Sequence, residues 1–211
     1  YKNDFSKHNG KVNSGRILLT FNSIPSQLAK NNEKFIYGAI KSGARAREFE
    51  EAIEWLNAAG MVNKVHNVSK VAYPLPIYEK TDNFKLFLFD TGLLKTMAGI
   101  SNDAVLLNKE FQFKGALTEN FVLQQLKTVL DVAPCFYADK NLELDFVVQL
   151  NDMLIPLEVK AGENVKSISL KKALNFDMFP YGVRFSKLNY KKEERIINLP
   201  LYLVNKINKI L

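Results

Sequence analysis

The run Met153 to Lys160 is an apolar stretch of strand length that ends in a carboxylate and an ammonium two residues apart, Glu158-Val159-Lys160. Side chains alternate across a strand, so Ile155, Leu157 and Val159 share one face while Glu158 and Lys160 share the other. A core strand with two charges on one face restricts the fold to arrangements in which those charges find partners. Upstream, Leu142 to Leu150 reads as a second strand with Glu143 and Asp145 at the same spacing of two. Glu119 rides on a predicted helical stripe with Val122, Leu123 and Leu126. Three separate elements thus each offer a carboxylate from apolar surroundings. Such carboxylates repel one another when gathered unless a cation lies among them. Oxygen donors of this kind suit Mg²⁺ or Mn²⁺.

Composition narrows the alternatives. The chain has 211 residues, 47% of them hydrophobic, enough for a substantial core in one large domain or two modest ones. No run approaches the roughly 18 to 20 apolar residues of a membrane span. The N-terminus, Tyr1-Lys2-Asn3-Asp4, has no basic segment followed by an apolar stretch, so a cytoplasmic location is the expectation. A single cysteine, Cys135, and two histidines, His8 and His66, leave no thiolate or imidazole zinc cluster. These three residues have no partners visible in the sequence. The formal charge of +7 and a pI near 9.3 are compatible with a polyanionic partner. The chain opens without an initiator methionine and in mid-pattern, which reads as part of a longer protein.

Along the chain, Arg16 to Asn22 and Ser26 to Asn31 read as two short helices separated by Ser23-Ile24-Pro25. A third helix, Arg47 to Ala59, carries Phe49, Ala52, Ile53 and Leu56 at helical spacing and ends at Gly60. Met61 to His66 and Lys70 to Tyr73 read as a hairpin, giving the order of a winged helix-turn-helix over residues 1–80. A connector, 81–109, holds a strand at Phe84 to Phe89 and a helix at Thr91 to Ala98 capped by Asp90. Residues 110–211 read as an α/β domain. It comprises a helix at Gly115 to Leu130 and strands at Cys135 to Ala138, Leu142 to Leu150 and Met153 to Lys160. A helix at Ser169 to Asn175, a strand near Val183 to Ser186 and a helix at Leu201 to Lys209 complete it.

Glu119 on a helix, Asp145 on a strand and Glu158-Val159-Lys160 on the next strand resemble the signature of the PD-(D/E)XK, restriction-endonuclease-like, superfamily. Four blocks, Phe84 to Leu94, Lys114 to Val122, Glu143 to Phe146 and Glu158 to Lys160, resemble the C-terminal region of a prokaryotic AAA-type ATPase family. The segments Ser23 to Ala29, Ala44 to Phe49 and Trp55 to Gly60 resemble the region that links that family's domains. The resemblance implies an α/β (α+β) chain, a winged helix-turn-helix followed by a restriction-endonuclease-like mixed-sheet domain. It also implies an N-terminal P-loop ATPase domain outside these residues, for no G-x-x-x-x-G-K-[ST] occurs here. In the implied site, Asp145, Glu158, Glu119 and the Val159 carbonyl would hold the metal, and Lys160 would orient water or balance charge. One departure stands out: the signature's aspartate often follows proline, and here Leu144 precedes Asp145.

The expected partners are DNA, the chain's own ATPase domain and a partner protein, with no membrane. Arg45 and Arg47 at the start of the third helix, Lys64 and Lys70 in the hairpin, and Lys41 are candidates for backbone phosphates. Glu48, Glu50, Glu51 and Glu54 crowd the same helix and oppose that role. Trp55 belongs to a core or interface. Lys171 and Lys172 are better placed for phosphate than Lys187, Lys191, Lys192 and Arg195, a run that Glu193 and Glu194 interrupt. Two functions therefore remain open: a metal-dependent nuclease-like module acting on DNA, and a non-catalytic DNA- or protein-binding regulatory module. For Glu158 and Lys160 the structural alternative is an ion pair on a solvated strand, worth at most about 1 kcal/mol.

Overall fold

The computed structural model describes residues 12–30, 34–107, 111–162 and 166–211. Its elements in chain order are α1 (Ser14–Ala29), α2 (Ala46–Ala58), β1 (Val62–Val68), β2 (Glu79–Leu88), α3 (Thr91–Met97), α4 (Asn102–Leu106), α5 (Lys114–Leu126), β3 (Cys135–Ala138), β4 (Glu143–Leu150), β5 (Met153–Val159), α6 (Ile168–Ala173), β6 (Gly182–Ser186), β7 (Lys191–Glu193), β8 (Ile196–Pro200) and α7 (Ile207–Ile210). Short 3₁₀ turns fall at Tyr37–Ala39, Leu75–Tyr78 and Leu201–Lys206. This is a mixed α/β architecture, with seven α-helices and an eight-stranded mixed sheet among the described residues.

The chain divides into two compact units. The first comprises Tyr1–Lys64 and Lys85–Phe113, the second Val65–Phe84 and Lys114–Leu211. Strands β1 and β2 are split between them, whereas the sequence places its boundaries at 80 and 109.

In the first unit α1 packs against α2, burying Ile17, Phe21 and Ile24 with Phe49, Ala52, Ile53 and Leu56. The two helices expected on either side of Pro25 form one helix with Pro25 inside it. Proline removes a single N–H donor, and the continuous apolar face outweighs that loss. The hydroxyls of Thr20, Ser23 and Ser26 donate to the carbonyls of Arg16, Thr20 and Ser23 on the same helix. Asn13 caps the start, its side chain accepting from the Arg16 N–H. Gly60, at φ +68°, ends α2 as expected: its N–H reaches Asn57 O and the Met61 N–H reaches Leu56 O, the paired bonds of a Schellman cap. Asp90 caps α3, accepting from the Leu93 N–H.

In the second unit the strands run in the order β2-β1-β3-β4-β5-β6-β8-β7. Pairs β1–β3, β5–β6 and β6–β8 are parallel, and β3–β4, β4–β5 and β7–β8 antiparallel. The expected second hairpin strand, Lys70 to Tyr73, is instead irregular, and the partner of β1 is the longer β2. The polar start of β2, Glu79 to Asn83, hides five residues of that strand from a hydropathy reading. Strands β7 and β8 were also absent from the expected layout. The central strands are covered on both faces, β5 being buried from Leu154 to Val159. Helix α6 lies on one face, its Leu170 seated over Gly182 of β6, and that face joins Val147, Leu154, Leu170, Phe179 and Ile196 in one core. Helix α5 packs against β5 and the Leu201–Lys206 turn against β6 and β8.

Candidate active site at the β4–β5 end

The antiparallel ladder of β4 and β5 runs from Leu150↔Met153 to Phe146↔Leu157 and stops there. Asp145 and Glu158 are the next residues on the two strands. In place of a further backbone bond, the Asp145 Oδ2 accepts from the Val159 N–H at 2.7 Å. The Lys160 N–H continues the sheet on the other side, donating to Phe185 O at 2.8 Å. Strand β4 is irregular at this point, its register with β3 shifting between Cys135 and Tyr137. The strands part here, and a carboxylate fills the opening with a charge-assisted hydrogen bond.

Glu158 is nearly buried, at 6% exposure. Its Oε1 lies 2.5 Å from Lys160 Nζ. Its Oε2 accepts from the Leu170 N–H of α6 at 3.3 Å. Ser167, at the N-cap position of α6, supplies no side-chain cap, so Glu158 serves one of that helix's free donors from the sheet below. The solvated-strand reading of the Glu158–Lys160 pair is thereby corrected: the two share a face as expected, but that face is covered by α6.

The same face continues onto strands for which the sequence offered no site residues. The Cα partner of Glu158 on β6 is Arg184, and that of Arg184 on β8 is Asn198. Arg184, Ser186 and Asn198 are all buried. Arg184 Nε donates to Asn198 Oδ1 at 2.9 Å, and Ser186 Oγ donates to the same oxygen at 2.8 Å. Asn198 Nδ2 in turn donates to the carbonyls of Leu188 and Asn189. The signal was present in Val183-Arg184-Phe185-Ser186, which alternates apolar and polar as Leu157-Glu158-Val159-Lys160 does.

The remaining candidates are spread over several elements. Glu119 is half-buried on α5, and Glu143 half-buried at the start of β4. Glu119, Asp145 and Glu158 do not gather as a three-carboxylate cluster: among the described residues no group of three His, Cys, Asp or Glu side chains is arranged to hold a metal ion. Asp145 and Glu158, with the Val159 backbone, remain as an oxygen donor set drawn from two adjacent strands. Lys171 and Lys172 are exposed on the last turn of α6. Arg45 and Arg47 are exposed at the start of α2, with Lys41 and Lys70 exposed in loops. Lys64 is ion-paired to Glu54 at 2.7 Å. Trp55 is half-buried on α2.

His8 lies outside the described residues. His66 and Cys135 do have a partner, Glu79: its Oε2 lies 2.6 Å from His66 Nδ1, and its Oε1 accepts from the Cys135 thiol at 3.4 Å. Burial, reinforced by the Glu79 charge, pushes the Cys135 thiol well above its ordinary pKa, so it stays protonated and unreactive.

Residues 1–104 match Domain of unknown function (DUF8612), and residues 114–204 match Domain of unknown function (DUF4143). The second is known from ATPase-associated proteins. No curated protein and no solved structure matches the chain. No described helix is long and apolar enough to cross a membrane.

Proposed function

We propose that this chain is the C-terminal part of an AAA-type ATPase, a winged helix-turn-helix followed by a PD-(D/E)XK nuclease-like domain that acts on DNA with a divalent metal. The carrying observation is the junction of β4 and β5, where Asp145 bonds the Val159 N–H beside the Glu158–Lys160 pair. Two carboxylates and a backbone carbonyl match the oxygen preference of Mg²⁺ or Mn²⁺, which commonly takes one or two protein carboxylates and keeps its waters. In this reading Asp145, Glu158 and the Val159 carbonyl hold the metal. Once bound, the metal polarises a phosphodiester and lowers the pKa of water. Asp145 is already anchored by the backbone. Glu158 is oriented from two sides, so both carboxylates are pre-positioned and little ordering is left for binding. Lys160, half exposed, turns its ammonium from Glu158 to the attacking water or the phosphate. ATP binding belongs to the preceding domain of the longer protein, and the match to a domain known from ATPase-associated proteins supports that placement.

A second reading is favoured by α2. Glu50, Glu51 and Glu54 are exposed on it, and Glu54 holds Lys64, a lysine otherwise suited to DNA. That chemistry fits a regulatory module in which the first unit docks the ATPase domain or a partner protein and the second unit is non-catalytic. A cleavage assay of the full-length ATPase with Mg²⁺ or Mn²⁺ and ATP, on single-stranded, duplex and branched DNA, separates the two. Cleavage lost by at least about 100-fold in Glu158→Gln and Lys160→Ala is expected. No cleavage of any substrate would leave the regulatory reading.

A further inference from the structure

Glu193 sits on the edge strand β7, exposed, among cations from three elements. Its Oε1 is 2.5 Å from Lys191 Nζ, and its Oε2 is 3.7 Å from Arg184 Nη2. Lys171 of α6 lines the same cavity as Glu193, about 530 Å³ in volume, together with Arg195 and Asn175. Lys191 first, then Arg184 and Lys171, hold the Glu193 carboxyl below the usual carboxylate range. The partners are unequal. Arg184 is only 5% exposed, and its guanidinium is fixed by Asn198. Glu193 is itself exposed: its close contact, to Lys191, lies in solvent and contributes little, and its contact to the buried Arg184 is the longer one. Arg184 Nη2 and Lys191 Nζ face one carboxylate, in a cavity that Lys171 also lines, and such a donor set suits phosphate oxygens, which carry more accepting atoms than one carboxylate.

We propose that Arg184, Lys171 and Lys191 form a seat for a phosphodiester group of nucleic acid, and that the Glu193 carboxylate stands in for that phosphate until it is displaced. The seat is one strand from Glu158, because Arg184 and Glu158 are Cα partners across β5 and β6. The proposal rests on the nucleic-acid reading above, though not on catalysis.

The test measures anisotropy of a labelled single-stranded DNA in EDTA across a salt series, using the full chain, Glu193→Gln and Asp131→Asn. Both variants raise the net charge by one, and the exposed Asp131 lines a different cavity, so it controls for general attraction. Expected is a gain of about three- to ten-fold for Glu193→Gln against less than about two-fold for Asp131→Asn. The salt slope should steepen by roughly 0.7 with the one extra phosphate contact. Adding Lys191→Ala to Glu193→Gln should cancel the gain, and both lysine and glutamate lie on the surface, so folding is preserved. Equal gains in the Glu193→Gln and Asp131→Asn variants, or none, would overturn the seat. Titration with inorganic phosphate and with a phosphopeptide fixes the occupant: a Glu193→Gln gain for either, without one for DNA, would overturn the nucleic-acid assignment. A DNA gain without metal-dependent cleavage by the full-length ATPase leaves the seat standing and removes the catalytic reading. Cleavage without the gain does the reverse.

Discussion

Helix α2 and the end of β5 carry similar charges in opposite settings. On α2, Glu50, Glu51 and Glu54 stand in solvent, and the Glu54–Lys64 pair has a side-chain exposure of 54% at the carboxylate. On β5, Glu158 is buried and each of its oxygens meets a donor, while Asp145 replaces a missing rung of the ladder. The first arrangement asks little of the fold beyond setting Lys64 of β1, 14% exposed, beside α2. The second exists only because β4, β5 and α6 are all in place, and removing any one of them strands a charge in the core. Acidic residues concentrate on α2, yet the carboxylates that the fold engages with backbone donors are on β4 and β5, where they are few. Density of charge in a sequence is therefore a poor guide to the charge that the fold has had to accommodate.

The largest expected difference is in stability. Glu158→Ala should lower the unfolding free energy by about 2–3 kcal/mol, since it unpairs the Leu170 N–H and leaves Lys160 without its carboxylate. Glu54→Ala should cost less than about 0.5 kcal/mol. Urea unfolding of both variants measures this, and equal costs would break the comparison. Gly182→Ala comes next. A Cβ there would lie 2.6 Å from Leu170 Cδ1, so α6 must shift or Leu170 must change rotamer, at about 1–2 kcal/mol. Its cost should fall well below that in a Leu170→Ala background, where the crowding atoms are gone; an undiminished cost would show that α6 is not seated through this contact.

Smaller still is Glu51→Ala, at an exposed position of α2, expected within a few tenths of a kcal/mol of the parent. A cost above about 1 kcal/mol would mean that the α2 charges are structural after all. Asp139 separates exposure from hydrogen bonding, because it is exposed and yet accepts from the Tyr137 hydroxyl and from the N–H groups of Asn141 and Leu142. These donors, Tyr137 first, hold its carboxyl below the usual range. A depressed folded-state pKa stabilises the fold above the unfolded pKa, and that contribution is lost as pH falls through the folded one. Carbon-detected NMR should place its midpoint below about 3.9, the ordinary aspartate value. A midpoint at or above that value would show that hydrogen bonding does not tune exposed carboxylates here.

Much of this was legible in the sequence, and for physical reasons. Strands β3, β4 and β5 were evident because apolar alternation over four to eight residues leaves few other structures. Gly60 marked the end of α2, and Asp90 the start of α3. Strand β7 was not legible, since Lys-Lys-Glu is also what a solvated loop would carry, and its hairpin with β8 turns on Glu194, at a positive φ of 52°. Pro25 misled because proline's cost is local whereas the packing of Ile17, Phe21 and Ile24 is shared along the whole helix. The pattern singles out Asp145, Glu158 and Lys160, but not the residues they meet. Arg184 and Asn198 are far from them in sequence, and only the parallel order β5-β6-β8 places them in one row. Cys135, His66 and Glu79 show the same limit, meeting across three strands.

The central proposal for this chain's function is that Asp145 and Glu158 share one divalent ion. Calorimetric titration of the chain with Mn²⁺ and Mg²⁺, repeated for Asp145→Asn and Glu158→Gln, tests that claim apart from any turnover. Asp145→Asn keeps an oxygen for the Val159 N–H and should change stability by less than about 1 kcal/mol, so loss of binding would not reflect unfolding. One ion per chain is predicted for the parent, with affinity reduced at least about ten-fold by either substitution. Unchanged metal affinity in both variants, or no binding by the parent, would contradict it.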